Sequence, residues 1–336
     1  MKKSILAITA LTMMLASCSQ DETIEVTTRE AITFGNAFIE NSTRAVDNSY
    51  NNEGFSAPFH VYGTITNKNG ETANLFNQEL VEKKNGSWVY NEAHTQYWIP
   101  GNTYNFTAIV DGNDNKGASK VETDKNGMPA SIKLTDASKQ LDILYAKSEE
   151  RKYQLGDPAK KVEFTFEHLM SKAVVSVIND IKIDNGYSYK VREICMSAQK
   201  SASYAVEKGY WTGHKDEYTL EFGDITDNPI HTAGSDGASF IGFQDKKESA
   251  FARLLIPSGK DEKTKISLKF KFELYKDKVL VESGIKDAHA EVQIEKGRAY
   301  NFQITLGEPG DPIKFSVAAV NGWGEDNKVE TQGTNK

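Results

Sequence analysis

Cys18 is the residue of this chain whose neighbours suit it best to covalent chemistry. It follows an apolar segment, residues 5–15, that comes after two lysines, and this order is typical of a secretory signal peptide. The segment that ends at the cysteine resembles a bacterial lipobox: Leu15-Ala16-Ser17-Cys18. In such a motif the cysteine sulfur receives a diacylated glycerol and the cysteine becomes the mature N-terminus. We therefore predict a lipoprotein signal peptide over residues 1–17 and lipid on Cys18 that holds the chain at a membrane.

The alternative for this region is an ordinary signal peptide with an unrelated cysteine after it. The other cysteine, Cys195, lies in a strand-like stretch and is predicted to be a buried structural thiol, because a nucleophile would need an activating partner. If the sulfur of Cys18 carries lipid, the mature chain cannot form an intramolecular disulfide.

Residue types that carry catalysis or bind metals are not clustered along the sequence. The six histidines lie 17 or more positions apart, which excludes the HExxH spacing of a zinc-binding helix. No Gly-x-Ser-x-Gly elbow, P-loop or dinucleotide-binding glycine pattern is present. The late carboxylates Asp311, Glu325 and Asp326 show no pairing and are predicted to lie on a solvated surface. We therefore predict no catalytic residue, no metal, no cofactor and no enzymatic activity.

One stretch imitates a calcium-binding loop. Asp111, Asn113, Asn115 and Glu122 occupy positions 1, 3, 5 and 12 of a loop of the EF-hand type. Position 6 is Lys116, although the sharp turn of such a loop requires glycine, and the pattern before it predicts a strand instead of a helix. A polar hairpin loop is therefore the preferred interpretation.

Aromatic residues close together in sequence could form a surface that binds glycans. The group consists of Tyr187, Tyr189, Tyr204, Tyr210 and Trp211. Because aromatic side chains usually bury large areas in a core, we prefer packing inside a β-sandwich.

The elements that must position all of these residues are β-strands. Apolar and polar residues alternate with a period of two over most of the chain, as in residues 266–274 and 299–306, and turn signals such as Asn69-Gly70 separate the segments. The 336 residues suffice for two domains, and the net charge of −7 argues against a nucleic-acid partner. The predicted fold class is all-β, with two antiparallel β-sandwich domains.

An interruption by glycine and proline at residues 154–159 predicts the boundary between the two domains. The N-terminal sandwich is expected over residues 45–158 and the C-terminal sandwich over residues 159–336, so that a strand at 162–168 opens the second domain. Residues 18–44 precede both domains and comprise a polar tether and a first strand.

Seven short segments, in this order and spacing, resemble the fimbrillin family of Bacteroidales type V pili. They are STRA (42–45), YWIP (97–100), DILYA (142–146), FTFEHLMSK (164–172), LLIP (254–257), KGRAYNF (296–302) and VNGW (320–323). Each segment is weak evidence by itself, but their order and spacing over residues 18–323 make a match that spans nearly the whole chain.

The resemblance implies two transthyretin-like β-sandwich domains and export to the outer membrane as a surface-exposed lipoprotein. In that family a trypsin-like, Arg-specific protease removes the lipidated segment together with the first strand. A strand from another subunit then fills the vacated groove, and repetition builds a pilus. The implied partners are therefore other pilin subunits, the outer membrane through the lipid on Cys18, and the protease; the implied final location is the fimbrium.

The first strand and the residues after it suit that scheme. Residues 31–39 are predicted as a strand with Ile32, Phe34 and Phe38 on one face. A polar segment of the kind that proteases cut follows this strand.

Within that polar segment we predict cleavage between Arg44 and Ala45. Arg29 is a second possible site, but cleavage there would leave the strand attached, so Arg44 is preferred.

The C-terminal strand at 313–320 is the expected donor in strand exchange. Ile313, Phe315 and Val317 share one face, and both terminal strands begin with the pattern Ile-x-Phe. The alternative is that residues 313–320 only complete the C-terminal sandwich of their own chain.

The function predicted from the resemblance is a structural subunit of a type V pilus that supports adhesion. A monomeric surface lipoprotein that binds glycans or a host protein is the alternative, and a lipid-anchored hydrolase ranks last. A terminal donor strand favours a polymerising stalk subunit over a tip subunit.

Overall fold

The computed structural model describes residues 29–39, 55–111, 118–179, 186–230, 239–241 and 252–320. Within these ranges the chain forms nineteen β-strands and two 3₁₀ helices, and no α-helix is present. The all-β fold class predicted from the two-residue periodicity is therefore confirmed. No helix in the same ranges is long and apolar enough to cross a membrane.

The strands are numbered in chain order. Those of the first half are β1 (Phe34–Ile39), β2 (Phe59–Thr66), β3 (Thr72–Lys84), β4 (Ser87–Val89), β5 (Thr103–Val110), β6 (Ser119–Thr123), β7 (Pro129–Leu134), β8 (Leu144–Lys147), β9 (Arg151–Lys152) and β10 (Val162–His168). Those of the second half are β11 (Ser171–Asn179), β12 (Tyr187–Ala205), β13 (Tyr210–Ile230), β14 (Ser239–Ile241), β15 (Arg253–Leu255), β16 (Thr264–Lys276), β17 (Val279–Val292), β18 (Ala299–Leu306) and β19 (Lys314–Val320). The 3₁₀ helices are Glu92–His94 and Ala137–Lys139.

Eight strands of the first half form one sheet, in the order β1-β10-β8-β5-β2-β3-β4, with β9 beside β5. The pair β1 and β10 is parallel, whereas β10 and β8 are antiparallel. Alternation along each strand places apolar side chains in a common core rich in aromatic rings. Its largest members include Phe34, Phe59, Phe76, Trp98, Tyr104, Phe106, Phe164 and Phe166.

Strand β10 belongs to the first half of the molecule. It lies between β1 and β8, and its buried residues Val162, Phe164 and Phe166 are part of the aromatic core just described. The prediction that this strand opens the second domain is therefore wrong. Residues 154–159 therefore form only the loop that leads into β10. The strand stays with the first half because its apolar side chains pack in the core of that half.

The second half contains two sheets that enclose a second core. One sheet has the order β14-β11-β18-β19, with β15 beside β11. The other has the order β17-β16-β12-β7-β6, with β13 beside β12. The predicted alternation in residues 266–274 and 299–306 is confirmed, since Ile266, Leu268, Phe302 and other apolar members point into this core.

The two halves share a junction. Strand β12 pairs with β7, so a hairpin of the first half extends a sheet of the second. A third core cluster lies there, and it includes Tyr62, Ile132, Met170, Tyr204 and Trp211. The indole Nε1 of Trp211 donates a hydrogen bond of 2.7 Å to the carbonyl oxygen of Leu169.

The burial of the aromatic group at residues 187–211 shows whether it forms a glycan-binding surface or packs in the core. Tyr189, Tyr204 and Trp211 are buried, and Tyr187 and Tyr210 are partly buried. Packing in the core is therefore correct for the three buried side chains, and they cannot form a glycan-binding surface.

Candidate functional site

The segment 29–39 lies in a groove at the edge of the first sheet. On one side, the amide of Ile32 donates a hydrogen bond of 2.8 Å to the carbonyl oxygen of Gln96. On the other side, the amide of Val162 donates one of 2.8 Å to the carbonyl oxygen of Thr33. Main-chain bonds therefore hold this segment between the loop before β5 and strand β10.

Phe34 is the central side chain of this segment. Its ring is buried, with ring centroids 5.8 Å from Phe76, 5.6 Å from Tyr90 and 6.0 Å from Phe164. The ring contacts β3, the residue that follows β4, and β10, so it joins parts of the sheet that are far apart in sequence. Aromatic pairs of this kind add to the free energy of burying the ring itself.

Tyr90 is a residue of the site that the sequence did not indicate. Its hydroxyl donates a hydrogen bond of 2.9 Å to the carbonyl oxygen of Ile32, 58 positions away. Burial raises the pKa of Tyr90, so the hydroxyl keeps the proton that it donates. No spacing or motif relates the two residues, and only the chain fold brings them together.

Phe38 is placed differently from the prediction. Ile32 and Phe34 face the core as expected, but Phe38 is 46% exposed and Ile39, at 2%, takes the inner position. The cause is a register irregularity between Phe34 and Ala37, which gives β1 one residue more than β10 over this stretch. An extra residue moves every later side chain to the opposite face.

The other edge of β1 borders a cleft. The cleft has a volume of about 260 Å³ and lies between β1 and the turn that joins β3 to β4. Its lining includes Phe38, Phe55, Lys83, Trp88 and Glu163. Beyond the bridge between Ala31 and Tyr97, no strand in the described part of the chain pairs with this edge of β1.

The predicted donor strand lies in the second half. Strand β19 pairs antiparallel with β18, and the rings of Phe302 and Phe315 stack with centroids 6.5 Å apart. Ile313, Phe315 and Val317 are partly buried against the second core. In this chain the strand thus completes its own sheet, and it is not brought together with β1.

Three predicted site residues lie outside the described part of the chain: Cys18, Arg44 and Ala45. Asn113, Asn115 and Lys116 of the calcium-like loop, and the late carboxylates Glu325 and Asp326, lie outside it as well. Arg29, the second possible cleavage residue, is described and exposed.

Residues that could support other chemistry are few in the described ranges. No group of three or more His, Cys, Asp or Glu residues there is arranged to hold a metal ion. Cys195 is partly buried, and burial raises the pKa of its thiol, which disfavours the nucleophilic thiolate. Nδ1 of the buried His168 lies 2.9 Å from Oδ2 of Asp142, but this pair lies inside the protein and not in a cleft.

Comparisons with known proteins give a family match and several similar solved structures. A family model described as fimbrillin-like matches residues 43–323. The chain is similar in structure to a fimbrial protein from Bacteroides vulgatus, with 15% identity and a TM-score of 0.63, over 88% of this chain and 100% of that one. A fimbrial assembly protein from Parabacteroides distasonis has 11% identity and a TM-score of 0.46 over 91% of this chain and 99% of that one. The fimbrial anchor protein Mfa2 from Porphyromonas gingivalis has 13% identity and a TM-score of 0.37 over 88% of this chain and 98% of that one.

Comparison with curated protein sequences gives no match. The likeness to the Bacteroides vulgatus protein shows a shared fold at low sequence identity. The family model covers far more than half of the chain, and its match agrees with the segments spread along the sequence. This chain belongs to the fimbrillin-like family.

Proposed function

We propose that this protein is a structural subunit of a type V pilus. It is exported as a lipoprotein on Cys18, is cut between Arg44 and Ala45, and polymerises by strand exchange in support of adhesion. Support comes from its family, from the fimbrial protein whose fold it shares, and from the way the segment 29–39 fills a groove.

The observation that carries the proposal is the burial of the segment 29–39. Ile32, Phe34 and Ile39 are almost completely buried, yet the chain between this segment and the first sandwich runs through Arg44. Cleavage there would leave β1 held only by non-covalent contacts. Loss of these three side chains would expose a groove, at a cost of about 5–9 kcal/mol in lost apolar burial.

The C-terminal strand has the side chains to fill that groove. The spacing of Ile313 and Phe315 matches that of Ile32 and Phe34. Strand β19 lies at the end of its sheet with β18 as its neighbour, so it can detach by breaking a single row of main-chain bonds. Placed in the groove of another subunit, Phe315 would occupy the site of Phe34, and the new strand would pair with β10.

The remaining roles follow from this scheme. The lipid on Cys18 holds the precursor at the outer membrane, an Arg-specific protease releases residues 18–44, and the fimbrium is the final location. The protein acts through assembly and binding, without catalysis, cofactor or nucleic acid.

The test is to treat the purified full chain with an Arg-specific protease. We expect a new N-terminus at Ala45 and a ladder of oligomers on a native gel. Arg44→Ala should prevent both effects, and Arg29→Ala is the matched control that should leave both unchanged. If Ala45 never appears as an N-terminus, or if the cut chain stays monomeric, the proposal is wrong.

A further inference from the structure

Exposed apolar side chains are concentrated on one strand of the second half. Among the residues the structure describes, four of the nine exposed large hydrophobic side chains lie within seven positions of β17. They are Val279 at 65%, Leu280 at 49%, Val281 at 52% and Ile285 at 62% exposed. Exposed apolar side chains concentrated on one strand mark an interaction surface more often than scattered ones do.

The main chain of β17 is also open along one side. The strand is the last in its sheet, and β16 is its neighbour. No strand in the described ranges pairs with its outer edge. The outer edge of this 14-residue strand presents a row of amide and carbonyl groups that can bind another strand.

The charges on β17 indicate what that other strand is. Glu282 and Lys286 lie symmetrically about Gly284, and all three share one face because they pair with the consecutive core positions of β16. Both charged side chains are exposed. An antiparallel copy of β17 centred on Gly284 would place each Glu282 opposite Lys286 of the second copy, and would form two such pairs.

Other registers are less favourable. A pairing centred on Lys286 or on Asp287 would set like charges directly opposite each other, which is destabilising. A pairing centred on Ile285 would leave Glu282 opposite Ala288. In the register centred on Gly284, Ile285 faces Ser283 of the second copy and lies diagonal to Ile285 of that copy, within reach for apolar contact.

We propose that β17 is a lateral assembly edge that pairs antiparallel with β17 of a second copy, centred on Gly284. The regular part of the strand begins at Glu282, because the register with β16 shifts between Leu274 and Tyr275. The apolar residues before Glu282 then flank the joined edge. This contact uses a different strand from strand exchange and requires no cleavage, so it connects subunits sideways.

The test uses the uncut full chain, in which the segment 29–39 still fills its groove. Analytical ultracentrifugation over a range of concentrations should show a monomer–dimer equilibrium that weakens at high salt. Glu282→Lys and Lys286→Glu should each raise the dissociation constant at least tenfold. The double variant with both reversals should have a dissociation constant within about threefold of that of the unmodified chain, because the two charge pairs form again with reversed sign.

The matched control is Glu207→Lys, an exposed charge reversal in the turn between β12 and β13. It should leave the dissociation constant unchanged, and circular dichroism should show that all variants are folded. A purely monomeric chain, or a double variant that stays as weak as the single variants, would overturn the proposal.

Disulfide cross-linking tests the register in which the two copies of β17 pair. In a chain that carries Cys18→Ser and Cys195→Ser, the further changes Ser283→Cys and Ile285→Cys should give a disulfide-linked dimer under mild oxidation, whereas the same chain without them should not. Efficient cross-linking by Ile285→Cys alone would instead indicate pairing centred on Ile285 and would contradict the register proposed here.

Discussion

The hydroxyl of Tyr90 and the carbonyl oxygen of Ile32 are joined by a hydrogen bond of 2.9 Å across the groove that holds the first strand. The bond links the end of β4 to a segment that lies in the chain before the predicted cleavage residue Arg44. It therefore stabilises the uncut chain, and under the proposed scheme it would be lost when the first strand leaves. The predictions below test this groove, its proposed occupant and two buried polar groups.

Phe34→Ala should destabilise the precursor strongly. The ring is buried among Phe76, Tyr90 and Phe164, so its removal should lower the free energy of unfolding by about 3–5 kcal/mol. Phe38→Ala is the matched control, because the register irregularity turns that ring outward, and it should cost less than about 1 kcal/mol. Urea denaturation of both variants measures the difference, and equal losses would show that the irregularity is misplaced.

Tyr90→Phe should loosen the first strand without emptying the groove. The substitution removes the hydrogen bond to Ile32 but keeps the ring, so we expect a loss of about 1 kcal/mol. Hydrogen exchange followed by mass spectrometry should show faster exchange in residues 29–39 and little change in β18 and β19. Uniformly faster exchange in both halves would argue against a local role for this bond.

Phe315→Ala should block polymerisation after cleavage while leaving the precursor folded. In the uncut chain this ring is only partly buried, so the cost to stability should be small. In the groove of another subunit it would replace Phe34 and become fully buried, so the loss should be large. Ser316→Ala, at the neighbouring position of the strand, should polymerise normally; native gels of both cut chains give the comparison.

Asp142→Ala should destabilise the fold where β8 and β10 pair. Asp142 is the partner of the buried His168, and its removal takes a hydrogen bond from a buried ring, at a cost of about 1–3 kcal/mol. The control is His94→Ala, which breaks a pair with Glu79 where the histidine is 56% exposed, and this change should cost less than about 1 kcal/mol. Thermal unfolding distinguishes them, and equal midpoints would contradict the role of the buried pair.

Alkaline pH should lower stability over a defined window. Burial raises the pKa of Tyr189 to about 12, above the ordinary value of 10.0, and its hydroxyl donates to the carbonyl oxygen of Gly307. The folded state then keeps a proton that the unfolded state releases, so this contribution is complete below pH 10 and is lost as the pH rises toward 12. Tyr189→Phe should make the decline in the free energy of unfolding less steep. An unchanged slope would show that Tyr189 does not contribute.

Much of the fold could be predicted from local pattern. The alternation in residues 266–274 indicated both a strand and its buried face, because successive side chains of a strand point to opposite sides. The same rule correctly identified Ile32 and Phe34 as inward-facing. It failed at Phe38, where one extra residue in β1 reverses the faces. Gly35 lies at that irregularity, and a glycine inside a strand is the local signal that could have indicated it.

The sequence by itself determined the β-strands, the candidate processing residues and the family resemblance, because these depend on residues close together in the chain. Only the tertiary structure decided that β10 joins the first sheet, that Trp211 is buried at the junction and that β17 keeps an open edge. The physical reason is that strand pairing and burial join residues far apart in sequence, such as Phe34 with Phe164 and Ile32 with Tyr90. Which strand covers another is settled by the packing of the whole chain.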